Sequence, residues 1–110
     1  MACHVLFYKN EKEFFELVRN RDPELILKLV KCVLNAVKRK KEKIDIFDIT
    51  FKENLQELVI SLDKEKYLST LETCLKDMEK QEEYELCSEI KKLLDNKDVV
   101  LLCNTIGYTF

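Results

Sequence analysis

The residues able to do chemistry are few. His4 is the single histidine of the 110-residue chain, Pro23 the single proline and Gly107 the single glycine, and there is no tryptophan. Phosphate-cradling loops need glycine, because backbone N–H groups must approach the anion and some positions need positive φ. Neither a P-loop nor a dinucleotide fingerprint can be written around Gly107 alone. A histidine-based triad would have to use residue 4, and no second histidine exists to help hold a catalytic metal. Asp45 and Asp48 could act as a pair of acids, although carboxylates on a strand surface are normally just solvated. Cys74 and Cys87 are candidate nucleophiles, but both fall on expected core faces and neither has a histidine to activate it. The expectation is a protein that is not an enzyme and uses no cofactor.

The five cysteines, Cys3, Cys32, Cys74, Cys87 and Cys103, cannot all pair within one chain. Residues 1–9 include a short apolar run, Val5-Leu6-Phe7, without the basic region of a secretory signal. The cysteines therefore read as small buried hydrophobes in a reducing cytoplasm. No C-x-x-C occurs, and the closest approach to a metal site is Cys3-His4, which would need Cys103 from the other end. No metal is expected.

The chain carries 19 basic and 21 acidic residues, a formal net charge of -2. That near balance does not point to nucleic acid, whose binding domains are usually strongly basic. One segment stands apart: Lys38, Arg39, Lys40, Lys41 and Lys43 supply five cations around Glu42. Cations suit the exposed carbonyls at a helix C-terminus. The same cluster is also a candidate contact for phosphate or an acidic surface. No aromatic residue interleaves it, which weakens a single-stranded nucleic-acid platform.

These residues must be positioned by a single domain, 1–110, since no linker, repeat or low-complexity segment divides the chain. Residues 3–8 are rich in strand formers. Asn10 and Glu13 resemble a capping box, opening a helix with Phe14, Leu17 and Val18 on one face and stopping near Asn20. Asp22-Pro23-Glu24 is the sharpest local signal: an N-cap acceptor, a proline that needs no N–H, and an acid suited to the dipole. The helix it opens, with Ile26, Val30, Val33 and Val37 in register, is predicted to reach about Lys41. Alternation of Phe47, Ile49 and Phe51 with Asp48 and Thr50, then of Leu58, Ile60 and Leu62 with polar neighbours, predicts a β-hairpin over 44–62. The competing reading makes Thr50 and Glu53 a capping box for a helix through Leu62.

From Asp63, a candidate cap, Tyr67, Leu71, Leu75 and Met78 form a helical stripe. After a polar break, Tyr84, Cys87, Ile90 and Leu94 form a second, so 63–94 is expected to be an antiparallel helix pair. Residues 99–103 would be either an edge strand, beside 3–8, or part of an extended tail continuing through 104–110. The fold class is thus α+β and mostly helical, with a small antiparallel sheet.

Within the helix pair, Leu75-Lys76-Asp77-Met78 followed by Glu83-Tyr84-Glu85-Leu86-Cys87-Ser88-Glu89-Ile90-Lys91 resembles the UVR motif. That helical hairpin is the one through which the excision-repair subunits UvrB and UvrC recognise each other, and it occurs in some bacterial adaptors. Tyr84, Glu85, Cys87, Ser88, Ile90 and Lys91 stand at the motif's aromatic, acidic, small, aliphatic and basic places. The connection between Met78 and Tyr84 is shorter than usual, and Lys91-Lys92 replaces the common Arg-Asp. The resemblance implies a helical hairpin that docks on another protein. The block Ile44–Leu94 also resembles the layout of small tailed-bacteriophage proteins.

Function is therefore expected in contact: a protein–protein interaction or assembly module, an accessory protein encoded by a phage or bacterium, acting on a partner or on itself. Phe7, Tyr8, Ile106, Tyr108 and Phe110, apolar groups near the ends, are the expected partner-binding residues. The alternative is a nucleic-acid-associated factor that uses the run from Lys38 to Lys43, with Lys28 and Lys31 alongside. Neither a membrane nor a small-molecule substrate is expected as a partner.

Overall fold

The computed structural model describes residues 2–95. They fall in two compact units, divided between Tyr67 and Leu68. The first unit runs β1 (His4–Tyr8), α1 (Glu11–Arg19), α2 (Pro23–Lys38), β2 (Lys43–Phe51) and β3 (Gln56–Asp63), then a 3-10 turn, Lys64–Lys66. The strands form one sheet in the order β1-β2-β3.

Local chemistry accounts for both helix starts. The Asn10 side chain accepts from the Glu13 backbone N–H at 3.0 Å. The return bond differs from the expected capping box: the Glu13 carboxylate accepts from the backbone N–H of Lys9, one residue before the cap. Asp22 accepts from the Leu25 N–H at 3.1 Å, with Pro23 opening α2 as its fixed φ favours. α2 stops at Lys38, earlier than predicted, because Lys40 turns left-handed at φ 54° and the Lys41 N–H closes on the Ala36 carbonyl. The basic run therefore leaves the helix and forms the link to β2.

The strand reading of 52–62 prevails over the helical one. β2 and β3 pair antiparallel around a turn at 52–55, where Leu55 is left-handed at φ 58° and its N–H closes on the Phe51 carbonyl. The sheet as a whole is mixed, a correction to the antiparallel expectation: β1 pairs parallel to β2, His4 opposite Phe47 and Tyr8 opposite Phe51. Two helices separate β1 from β2, long enough a crossover to bring the chain back in the same direction. An irregularity between Asp45 and Phe47 leaves Ile46 as an extra residue in β2, which is why Ile46 and Phe47 are both buried.

Buried Ile44, Phe47, Ile49 and Phe51 give β2 an inner face, on which α2 packs with Leu25, Ile26, Val30, Val33 and Leu34. Phe14 of α1 joins this core beside the Tyr8 ring, centroids 5.5 Å apart, whereas Val18 stays exposed. A disulfide links Cys3, before β1, to Cys32 in α2, their Cα atoms 6.3 Å apart. This corrects the reading of all five cysteines as unbonded hydrophobes. Two positions 29 residues apart were brought together by the crossover, which spacing alone does not reveal.

In the second unit α3 (Tyr67–Lys80) follows the 3-10 turn. Asp63 ends β3 and makes no side-chain cap, contrary to expectation. Leu71, Cys74 and Met78 are buried along α3, as its stripe predicts. A fourth helix, α4, is described over 84–95, giving the expected C-terminal helix pair. The link is a left-handed Glu82 at φ 60°, with the Glu83 N–H on the Met78 carbonyl and the Glu83 carbonyl accepting from Cys87. Cys87 and Ile90 are buried, but Tyr84 is 67% exposed and stands off the stripe assigned to it. Residues 99–103 and the tail 104–110 lie outside the described residues.

Candidate functional site on the open sheet face

Side chains directly opposite in a sheet share a face, so register determines what the outer side of this sheet presents. One row crosses the three strands as Val5, Asp48 and Val59; the next as Phe7, Thr50 and Glu57. Beyond the extra residue Ile46, Asp45 stands opposite Ser61 on the same side, since one inserted residue restores the alternation across positions 45 and 48. Lys43 opposite Asp63 ends the strip.

Three apolar side chains on this face are open to solvent: Val5 and Phe7 at 59% and Val59 at 45%. Between them lie carboxylates. The Ser61 hydroxyl donates to Asp45 at 2.6 Å. The hydrogen bond between Glu57 and Asp48, together with the negative charge of Asp48, raises the Glu57 pKa above its usual 4.5. Asp48 Oδ1 is shielded from solvent and has no hydrogen-bond partner. The arrangement is an apolar surface with an acidic centre, suited to contact more than to reaction.

The expected site residues separate on this frame. Phe7 is on the open face; Tyr8, next in the strand, points to the other side, is half-buried and packs on Phe14. Burial and then the Asp22 charge raise the Tyr8 phenol pKa. Ile106, Tyr108 and Phe110 lie outside the described residues. Lys38, Arg39, Lys40, Lys41 and Lys43 are all exposed. Within the same link Glu42 pairs with Lys64 at 2.9 Å, and the Lys41 carbonyl accepts from the buried Tyr67 hydroxyl at 3.0 Å. Lys28 pairs with Glu24 at 3.4 Å.

Cys74 and Cys87 are buried thiols outside the disulfide, and burial pushes the Cys87 thiol up, away from the thiolate a nucleophile needs. His4 lies against the Phe47 ring, centroids 5.9 Å apart. Among the described residues no group of three or more His, Cys, Asp or Glu side chains could hold a metal ion, and no helix is long and apolar enough to cross a membrane.

Sequence reasoning singled out Asp45, Asp48 and Phe7 but missed Glu57, Val5 and Val59 as their companions. The alternation along each strand was visible. Which residues of different strands stand side by side depended on the parallel register of β1 and on the extra residue at Ile46. No family model matches the chain, and neither a curated protein nor a solved structure matches it.

Proposed function

We propose that the chain is a protein–protein interaction module, an accessory protein of the phage or bacterial kind its layout resembles, acting in the cytoplasm by contact alone. The observation that carries this reading is the exposure of Val5, Phe7 and Val59 together on one side of a three-stranded sheet. Apolar side chains scattered singly over a surface are ordinary, whereas a group on one face is what a partner covers. Ile106, Tyr108 and Phe110 are proposed as a further contact.

The test is co-purification from the organism that encodes the chain, read by quantitative mass spectrometry, with the natural chain and Phe7→Ser side by side. Phe7 is exposed, so circular dichroism should be unchanged in the variant. A partner recovered with the natural chain and reduced about tenfold or more with Phe7→Ser is expected, since aromatic anchors carry a large part of contact energy. Undiminished recovery overturns the reading.

A second reading rests on the exposed cations of the α2–β2 link. Arg39, Lys40, Lys41 and Lys43 would meet phosphates as point charges, with steep salt dependence and little sequence preference. The neighbouring Glu42 and the acids of the sheet face oppose it.

A further inference from the structure

The charge on the open face narrows what can lie there. Asp45, Asp48, Glu57 and Asp63 point outward, and the single cation among the outward strand residues, Lys43, sits at the end of the strip opposite Asp63. A nucleic acid or an anionic lipid surface would be repelled. A second copy meeting this face with its own equivalent face would bring like charges together. Asp48 and Glu57 are diagonal neighbours across β2 and β3 on this face, so an incoming cation would relieve the repulsion between them. Width points the same way: three strands spaced about 4.8 Å apart set β1 and β3 roughly 10 Å from each other, the diameter of one α-helix. Val5 and Phe7 form one apolar margin and Val59 the other.

We propose that the open face binds a cationic amphipathic helix of another protein, its apolar stripe on Val5, Phe7 and Val59 and its lysines or arginines over Asp45, Asp48 and Glu57. The proposal rests on the interaction-module reading and adds the chemistry of the partner. Contact of this kind reads a helix by apolar anchors at i, i+3, i+4 and i+7 and by the charges flanking them.

The experiment is fluorescence anisotropy of the full chain with a labelled synthetic peptide of about 18 residues, leucines at helical spacing flanked by lysines. A scrambled peptide of the same composition and a glutamate-for-lysine version are the comparisons. The lysine peptide should bind at least about tenfold more tightly than either, and the combined Asp45→Asn, Asp48→Asn, Glu57→Gln variant should lose about tenfold or more. The single variant Glu57→Gln, at an exposed position, keeps the test valid should the triple variant fold poorly; it should lose about threefold. Equal binding of the acidic peptide, or unchanged affinity in the charge variants, overturns the proposal.

The same variants separate this failure from the failure of the module reading. Loss of the natural partner with Phe7→Ser but not with the charge variants would leave the module and remove its cationic partner. Sedimentation showing concentration-dependent oligomers that Lys40→Glu abolishes would overturn the proposal in favour of a second copy supplying its own basic link.

Discussion

Glu57 and Asp48 are two acids held side by side on a face that is otherwise apolar at its margins. Their hydrogen bond and mutual repulsion raise the Glu57 pKa in the folded chain above its unfolded value of 4.5. The folded state then binds the proton more tightly, so the contribution is fully present below pH 4.5 and is lost as pH rises through the folded value. Glu57→Gln removes that loss. Urea unfolding across pH 4 to 8 should show the variant more stable than the natural chain at neutral pH, with the difference shrinking towards pH 4. Equal curves at every pH would contradict the repulsion. The left-handed positions are a second matter of single residues. Arg21, Lys40, Leu55 and Glu82 all have positive φ, although none is glycine. The chain's one glycine, Gly107, is spent elsewhere. Lys40→Gly should relieve the Cβ strain at the end of α2 and stabilise the protein by about 0.5–1 kcal/mol in denaturant titration. Where these turns fall was only partly legible: the polar breaks near Asn20, Lys41, Asn54 and Glu82 were visible, but without glycine their handedness was not.

At the level of elements, the crossover from β1 through two helices to β2 is what shapes the first unit. It makes the sheet mixed and brings Cys3 to Cys32. A bridge closing a loop of that length stabilises by about 3–4 kcal/mol, chiefly by restricting the unfolded chain. Chain purified without reductant should show two fewer reactive thiols than fully reduced chain under denaturing conditions, and dithiothreitol should lower the denaturant midpoint correspondingly. Cys3→Ser should reproduce the reduced midpoint and be insensitive to further reductant; a midpoint unaffected by either change would sink this account. The Cys3–Cys32 bond weighs against the proposed cytoplasmic location, because structural disulfides are rare in a reducing compartment. Helix starts belong to the same scale and were well marked. Asn10 and Asp22 act through bonds spanning three residues and Pro23 through its own fixed φ, which is why sequence sufficed there. Asp63 failed as a cap because the strand pairing of β3 holds it through Lys43 opposite, and a 3-10 turn intervenes before α3.

Over the whole chain, near balance of charge conceals a segregated pattern. Five cations lie in or beside the α2–β2 link, while the sheet face beyond Lys43 is acidic. A net value of -2 therefore says little about which surface meets which partner, because association is governed by local potential. The sequence by itself determined the exclusion of glycine loops and histidine-based chemistry, the capped starts of α1 and α2, and the C-terminal helix pair. Each rests on residue type or on interactions a few positions apart. The sequence left 52–62 open between strand and helix until the pairing of β2 with β3 decided it. Only tertiary structure decided the parallel place of β1, the Cys3–Cys32 bond, the turning of Tyr8 inward and Phe7 outward, and the gathering of Val5, Val59 and the three acids. Those depend on register between strands far apart in the chain, where a shift of one residue exchanges the faces, and alternation within a single strand does not fix which neighbour stands opposite.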